Sequence, residues 1–305
     1  SSSSSASTGV TKVNAWAAQE QGGVIAPWTY EQPAELKPKE VEIEVEYCGV
    51  CHSDLSMLTG EFPWASYPFV GGHEVIGIVK ACGAEVDKER FLNKRVGLGW
   101  QRGGFCRSCR QCAVGDVNLC GSAVPTIAGE NKGGFASHCR AEAQAVALIP
   151  DSVNPATAGP WLCGGVTVYT PLREFVKNSA ATTVGVVGLG GLGSMGIQMA
   201  AKIGCEVVAF TSTAAKGEQA KQWGATKVVD STSAKEIRSV QCDLIIVTVS
   251  VELDWAAYLD ALSPRGRLHF VGVDGTIDLR NTQLVDNAAI KPMVILPSQS
   301  LARLI

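Results

Sequence analysis

Thr183-Val184-Gly185-Val186-Val187-Gly188-Leu189-Gly190-Gly191-Leu192-Gly193 is an apolar, valine-rich run that opens directly into G-x-G-x-x-G. In such a turn Gly188 permits the tight reversal and Gly190 lets a pyrophosphate approach the backbone. Gly193 lets helix and strand pack closely, with Gly191 and Leu192 filling the positions between. A helix is expected over roughly Ser194 to Ile203, its amide-rich end aimed at phosphate. Glycines alone read equally well as simple turns. A strand before, a helix after and a second strand ending near Thr211 supply the context that a dinucleotide turn requires.

Working outward, apolar runs at Val184 to Val187, Val207 to Thr211, Lys227 to Val229, Leu244 to Val249 and Leu268 to Val273 alternate with helical stretches. Such alternation predicts a parallel sheet covered by helices on both faces. Before about Pro160 the pattern differs. Val41-Glu42-Ile43-Glu44-Val45-Glu46-Tyr47 alternates apolar and acidic residues, the period of a strand with one wet face. Val75 to Val79 and Arg95 to Gly99 read as further short strands with glycines at bends or bulges. The fold class is therefore α/β, a strand-rich half followed by a doubly wound parallel-sheet half. Expected bounds are 1–8 for a disordered serine-rich leader, 9–158 and 159–290 for two domains, and 291–305 for a tail.

The end of the second strand of the parallel half bears on cofactor choice. An acid usually stands there to bind the ribose 2′-hydroxyl of NAD, but the chain reads Phe210-Thr211-Ser212-Thr213-Ala214-Ala215-Lys216. Hydroxyls of Thr211, Ser212 and Thr213 and the cation of Lys216 suit a 2′-phosphate that a carboxylate would repel. NADPH is the expected cofactor. The same hydroxyls also suit the capping of the next helix.

Two groups of residues have the chemistry of metal ligands. Cys106, Cys109, Cys112 and Cys120 form C-x2-C-x2-C-x7-C, and four thiolates fill the tetrahedron of a structural zinc. An iron–sulfur cluster is the rival reading. Zinc is favoured, partly because the fourth cysteine lies in the same loop without the proline of the bacterial cluster motif. The second group is scattered: Cys51 and His73, with Asp54 and Glu74 beside them and Cys163 as a distant candidate third ligand. Three protein ligands with an open fourth position describe a catalytic zinc, while a lone cysteine is commonly a small buried hydrophobe.

Composition narrows the partners. A net charge of −3 argues against nucleic acid or an anionic membrane surface, which need concentrated Lys and Arg, and points to a small molecule. No apolar run approaches the roughly 20 residues that span a bilayer. With 305 residues and 11 cysteines, clustered thiols are read as metal sites in an intracellular chain rather than as disulfides. The expected compartment is the cytoplasm, with a plastid as the alternative raised by the serine-rich leader.

Gly49-Val50-Cys51-His52-Ser53-Asp54, Gly72-His73-Glu74, the four-cysteine loop, Leu162-Cys163-Gly164-Gly165-Val166-Thr167 and the glycine turn together resemble the zinc-containing medium-chain alcohol dehydrogenases. The cinnamyl-alcohol-dehydrogenase-like branch, with its broad-specificity NADPH-dependent aldehyde reductases, is the nearest likeness, over about residues 10 to 275. The resemblance implies a GroES-like catalytic domain and a Rossmann domain with the active site between them, two zinc ions per chain and a homodimer. It implies Cys51, His73 and Cys163 as ligands of a catalytic zinc and Asp54 as the carboxylate that fixes the His73 ring. Glu74 resembles an acid that approaches the metal during ligand exchange, Ser53 the hydroxyl that hands a proton to the product alkoxide, and His52 a contact to the pyrophosphate. Thr167 joins the cofactor contacts. The implied reaction is reduction of an aldehyde, reversible toward the primary alcohol, with zinc polarising the carbonyl. NAD-dependent polyol or formaldehyde-type oxidation and a non-catalytic scaffold are the alternatives.

Trp64 and Trp100 are candidate walls of a substrate pocket and equally candidates for core. His138 and His269 match nothing in the family pattern and read as structural. Two departures stand out. The position five residues after Cys51, often a relay histidine in relatives, is Ser56. Beyond about Gly275 neither the long return segment that completes the catalytic domain of relatives nor their dimer strand is recognisable.

Overall fold

The computed structural model describes residues 9–272 and 293–295. The serine-rich leader, Thr276 to Leu279 and nearly all of the expected tail therefore lie outside the described residues. The chain divides into two compact units, Ser1–Cys163 and Gly164–Ile305.

In the first unit the alternating segment forms Glu40–Cys48, flanked in a five-stranded sheet by His138–Glu142 on one side and Val75–Cys82, Arg95–Leu98 and Val146–Leu148 on the other. All neighbours are antiparallel. Val41 and Ile43 face a core with Val75, Val79, Val96 and Leu98. The acids between them face outward and pair across the sheet: Glu44 with Lys80 at 2.9 Å and Glu46 with Arg95 at 2.7 Å. Glu42 is held by the buried Arg140 at 2.7 Å, and Arg140 also donates to the Pro33 carbonyl at 2.7 Å. That arginine ties the sheet to the N-terminal hairpin of Val10–Ala17 and Ala26–Pro33. The strand register slips between Val45 and Tyr47 beside Gly77, where a Cβ would meet the Glu44 carbonyl at 2.2 Å.

The first unit runs to Cys163, past the limit of 158 expected from the change in sequence pattern. The reason is local packing. Gly159 lies against the Glu74 backbone and Leu162 against Gly97, so this segment is bound to the antiparallel sheet.

The second unit is a six-stranded sheet in the order Lys227–Asp230, Glu206–Thr211, Thr183–Val187, Cys242–Val247, Leu262–Phe270, Met293–Ile295. Every pairing is parallel. Successive residues feed opposite cores: Val184, Val186, Val207, Ala209, Leu244 and Ile246 pack on one face, Val187, Val208, Phe210, Ile245 and Val247 on the other. Burial of both faces explains why these strands read as continuous apolar runs rather than alternating ones. Thr183–Val187 sits where the strand order reverses, the place where open α/β sheets bind ligands at their carboxyl ends. Met293–Ile295 extends this sheet beyond the expected limit of 290. A three-residue apolar run directly after Pro292 resembles a tail and becomes a strand because Leu262–Phe270 offers an open edge.

Candidate metal centre and dinucleotide turn

Helix His52–Thr59 starts at Cys51, whose extended backbone (φ −106°, ψ 154°) makes it the N-cap. Asp54 in its first turn is 5 % exposed and turns its carboxylate back into the protein. Oδ2 accepts from the Cys51 N–H at 2.9 Å and Oδ1 from the Gly72 N–H at 2.8 Å. Oδ1 also faces Nδ1 of the fully buried His73 at 3.3 Å. An acceptor at that position assigns the ring proton to Nδ1 and leaves Nε2 free to coordinate. Nε2 lies 3.3 Å from the Cys163 sulfur, and the Cys51 and Cys163 sulfurs are 3.6 Å apart.

Zinc bonds of about 2.3 Å to sulfur and about 2.0–2.1 Å to nitrogen give tetrahedral edges of about 3.8 Å for sulfur to sulfur and about 3.6 Å for nitrogen to sulfur. The observed separations fall just inside these. A Glu74 carboxylate oxygen completes a group whose ligand atoms all lie within 4.8 Å of one another. Glu74 Oε2 is buried without a well-formed hydrogen bond among the described residues, an arrangement that costs free energy unless a cation compensates it. The donor set therefore fits a zinc ion.

The local electrostatics suit a cation as well. A hydrogen bond from the Cys163 thiol, helped by His73 and opposed by burial, holds the Cys51 thiol down at about 4. The same contact and burial push Cys163 up. Burial disfavours the charged His73 ring, but Asp54 and the Cys51 sulfur outweigh it and raise the ring to about 9. Burial pushes the Glu74 carboxyl up. Protons and a metal ion compete for these atoms, so the affinity for metal falls in acid.

Loops rather than regular elements deliver His73. Residues 70–72 are clasped against 133–135 by Gly133 N–H to Val70 O at 2.9 Å, Gly134 N–H to Gly72 O at 2.8 Å and Phe135 N–H to Gly71 O at 3.0 Å. Gly72 has φ +94°, and a Cβ there would meet the Cys48 sulfur at 2.7 Å; a Cβ on Gly133 would meet the Gly71 carbonyl at 2.3 Å. The edge of Trp100 meets the His73 ring at 5.2 Å and 86°. Trp64 stacks on Phe62 at 5.2 Å and, like Trp100, packs against Met57, Phe69 and Ile127. Of the two candidate pocket walls, Trp100 adjoins a candidate ligand. Ser53 is half-buried and His52 exposed; the Ser53 N–H bonds the Cys51 sulfur.

Cys106, Cys109, Cys112 and Cys120 bring their sulfurs within 4.8 Å of one another. Backbone N–H groups of Cys109 and Cys106 point at the sulfurs of Cys106 and Cys120 at 3.3 and 3.4 Å. The Ser108 N–H, first among such donors, holds Cys106 down at about 6. Four sulfurs this close leave room for one ion and none for a cubane of four irons.

In the second unit, helix Gly191–Ile203 begins three residues before the expected Ser194, with Gly190 as N-cap and Ser194 N–H bonding the Gly190 carbonyl at 2.9 Å. The amides of Gly191, Leu192 and Gly193 thus belong to the first turn, where no intrahelical acceptor exists. Gly188 has φ +87°, a Cβ on Gly193 would meet the Gly188 carbonyl at 1.9 Å, and nothing lies within 4 Å of a Cβ on Gly190 or Gly191. The turn is tight beneath and open above. Thr248 pins it, its hydroxyl meeting the Val187 and Gly188 carbonyls at 2.9 and 3.1 Å.

At the next strand tip Thr211 is buried and its hydroxyl accepts from the Thr213 N–H at 3.4 Å. Thr213 stands at the N-cap of helix Ala214–Gln222 but makes no side-chain cap bond. Ser212, Thr213 and Lys216 are exposed. The acid nearest in register is Asp230, paired with Thr211 on the adjacent strand, and its carboxylate is engaged by Thr232 at 2.8 Å.

Residues 37–151 match the family model of the alcohol dehydrogenase GroES-like domain, and residues 191–295 that of the zinc-binding dehydrogenases. An aldehyde reductase of Synechocystis sp. is 44 % identical over 263 residues, covering 86 % of this chain and 77 % of the relative. The chain belongs to the zinc-containing medium-chain alcohol dehydrogenases. Cinnamyl alcohol dehydrogenase 7 of Arabidopsis thaliana is 34 % identical over 265 residues, 84 % of this chain and 73 % of its own. Among solved structures, a cinnamyl alcohol dehydrogenase of Sorghum bicolor superposes with TM-score 0.81 at 31 % identity, covering 96 % of this chain and 80 % of that one. One from Helicobacter pylori, complexed with NADP(H), does so with TM-score 0.83 at 27 % identity, covering 94 % and 83 %.

Several features of this dehydrogenase have no signal in the sequence. Thr248 is one, since a threonine ending an apolar strand does not announce which carbonyls it meets. Glu61 is another: Ser56, where relatives often place a relay histidine, is 4 % exposed and donates to Glu61 Oε2 at 2.6 Å. His138, beside Ser137 at 3.2 Å, and His269, beside Phe175 at 6.0 Å, both lie outside the candidate ligand groups. Among the described residues no helix is long and apolar enough to cross a membrane.

Proposed function

We propose that this dehydrogenase reduces small aldehydes to primary alcohols with NADPH at a zinc site formed by Cys51, His73 and Cys163, with a second zinc held structurally by Cys106, Cys109, Cys112 and Cys120. The observation that carries the reading is the Cys51, His73 and Cys163 triangle buttressed by Asp54. When bound, zinc supplies Lewis acidity toward a carbonyl oxygen and NADPH supplies hydride. The chain does the rest. Asp54 holds the His73 tautomer, and Glu74 stands ready to take a ligand position during exchange. Ser53 hands a proton to the product alkoxide. First-turn amides of Gly191, Leu192 and Gly193 bind pyrophosphate, with Gly188 and Gly190 shaping the turn and His52 and Thr167 as further contacts. Ser212, Thr213 and Lys216 receive the 2′-phosphate, with Thr211 ordering the tip beneath them. Trp100, with Trp64 behind it, shapes an apolar aldehyde pocket.

Likeness to a bacterial aldehyde reductase supports a cytoplasmic enzyme over a plastid one, and the family resemblance supports a homodimer. The test combines zinc content with NADPH and NADH oxidation on aliphatic and aromatic aldehydes. Two zinc ions per chain and faster NADPH turnover are expected. One zinc and no turnover refutes the reading in favour of a non-catalytic scaffold, and preference for NADH refutes the account of the strand tip.

A further inference from the structure

We propose that Thr248 is a positioning residue for the cofactor pyrophosphate: its hydroxyl fixes the Gly188–Leu189 peptide so that the Leu189 N–H joins the amides of Gly191, Leu192 and Gly193 as a donor. The inference rests on the NADPH reading above. It starts from the use of one proton. The Thr248 hydroxyl lies 2.9 Å from the Val187 carbonyl and 3.1 Å from that of Gly188, but Val187 O already accepts the Thr248 N–H at 2.9 Å. The hydroxyl proton is therefore left for Gly188 O.

That carbonyl needs holding, because Gly188 stands at φ +87° and has no Cβ to restrict the peptide that follows it. It lies beneath Gly193, whose Cβ would meet Gly188 O at 1.9 Å and the Thr248 hydroxyl at 3.4 Å. Carbonyl, hydroxyl and helix start thus share one contact on the underside of the turn.

A peptide is planar and trans, so its N–H points opposite to its C=O. The preceding peptide obeys this: Val187 O faces Thr248, while Gly188 N–H bonds Phe210 O at 3.3 Å on the strand at the other side. With Gly188 O gripped from beneath, Leu189 N–H turns toward the side that Gly190 and Gly191 leave open. Leu189 is only 7 % exposed, yet its N–H meets no backbone carbonyl among the described residues. A buried N–H without an acceptor costs free energy, and an anion seated on the turn supplies one. Turned over, the same peptide would offer that anion a carbonyl oxygen and repel it.

Thr248→Val keeps the β-branched shape and removes only the donor. NADPH affinity, measured by fluorescence titration, should fall at least about tenfold, the scale of one hydrogen bond to a charged group. The KM for NADPH should rise by the same factor while kcat at saturating cofactor holds. Adenosine 2′-monophosphate carries the 2′-phosphate but no pyrophosphate, and its affinity, measured by calorimetry, should stay at the wild-type value. Thr248→Ser restores the hydroxyl and should restore NADPH binding. An equal loss of adenosine 2′-monophosphate binding would mark general damage to the sheet end and overturn the proposal. Wild-type NADPH affinity in the valine variant, or a serine variant no better than valine, overturns it as well; none of these results touches the parent reading. Wild-type protein that prefers NADH refutes the account of the strand tip alone, since the pyrophosphate is common to both cofactors and the loss is then read on NADH with adenosine as the control. Wild-type protein that binds neither dinucleotide overturns both.

Discussion

Asp54→Asn isolates the buttress of the proposed metal centre with almost no change in shape. The carboxylate accepts two backbone N–H groups, from Cys51 at 2.9 Å and Gly72 at 2.8 Å, and faces His73 Nδ1 at 3.3 Å. An asparagine oxygen serves the Gly72 and His73 side, but its NH2 then confronts the Cys51 N–H, donor against donor. One hydrogen bond to a charged acceptor is lost, about 1.5–3 kcal/mol, and a buried N–H is left without a partner. The remaining contacts lose their charge assistance, so the loss should total about 2–4 kcal/mol. Zinc affinity should fall about 10–100-fold, as for other carboxylates that orient a metal-binding histidine. Urea unfolding of zinc-loaded and chelator-treated protein, with zinc competition against a chromogenic chelator, measures both effects. An unfolding midpoint equal to wild type and a zinc affinity within twofold would refute the assignment of Asp54 as the group that holds His73.

Cys163→Ser should abolish turnover while NADPH still binds with near-native affinity by fluorescence titration; retained activity removes Cys163 from the site. Ser212→Asp should shift the NADPH to NADH ratio of kcat/KM toward NADH by at least about tenfold, because a carboxylate repels the 2′-phosphate and accepts from the 2′-hydroxyl. Cys112→Ser should remove one zinc per chain and lower the melting temperature, since the ion's binding energy is folding energy; unchanged zinc stoichiometry in the purified variant would exclude that cysteine as a ligand. His269 is held down at about 4 by burial, against about 6.5 in an unfolded chain. The unfolded state therefore takes up a proton first, so stability is full above about pH 6.5 and declines toward about pH 4. His269→Gln should flatten that part of the stability curve, and an identical slope in wild type and variant would show that other groups cause it.

Both units were legible where burial leaves a periodic mark. Glu40–Cys48 has one wet face and alternates, whereas Thr183–Val187 is buried on both faces and reads as an unbroken apolar run. The clustering of the two candidate ligand groups was legible because sulfur and imidazole at those spacings have few other uses. What stayed hidden depends on where a backbone group happens to lie. Helix Gly191–Ile203 starts inside the glycines because Gly190 supplies the first acceptor, although helix propensity argues against glycine there. Met293–Ile295 needs a neighbour's open edge to become a strand. Glu61 stands at a helix end that electrostatics would give to a cation. The division after Cys163 follows Leu162 and Gly159 packing onto the first sheet rather than any change in residue type.

The glycine clasp beneath His73 has an evolutionary corollary. Any missense change of a glycine codon installs at least a Cβ, and at Gly72 and Gly133 that atom would lie 2.7 Å from sulfur and 2.3 Å from a carbonyl oxygen. These two sites have no silent neighbours in amino-acid space, so drift around the proposed metal centre must proceed through the side chains that flank them. A saturation library screened for soluble expression should show them as two empty columns.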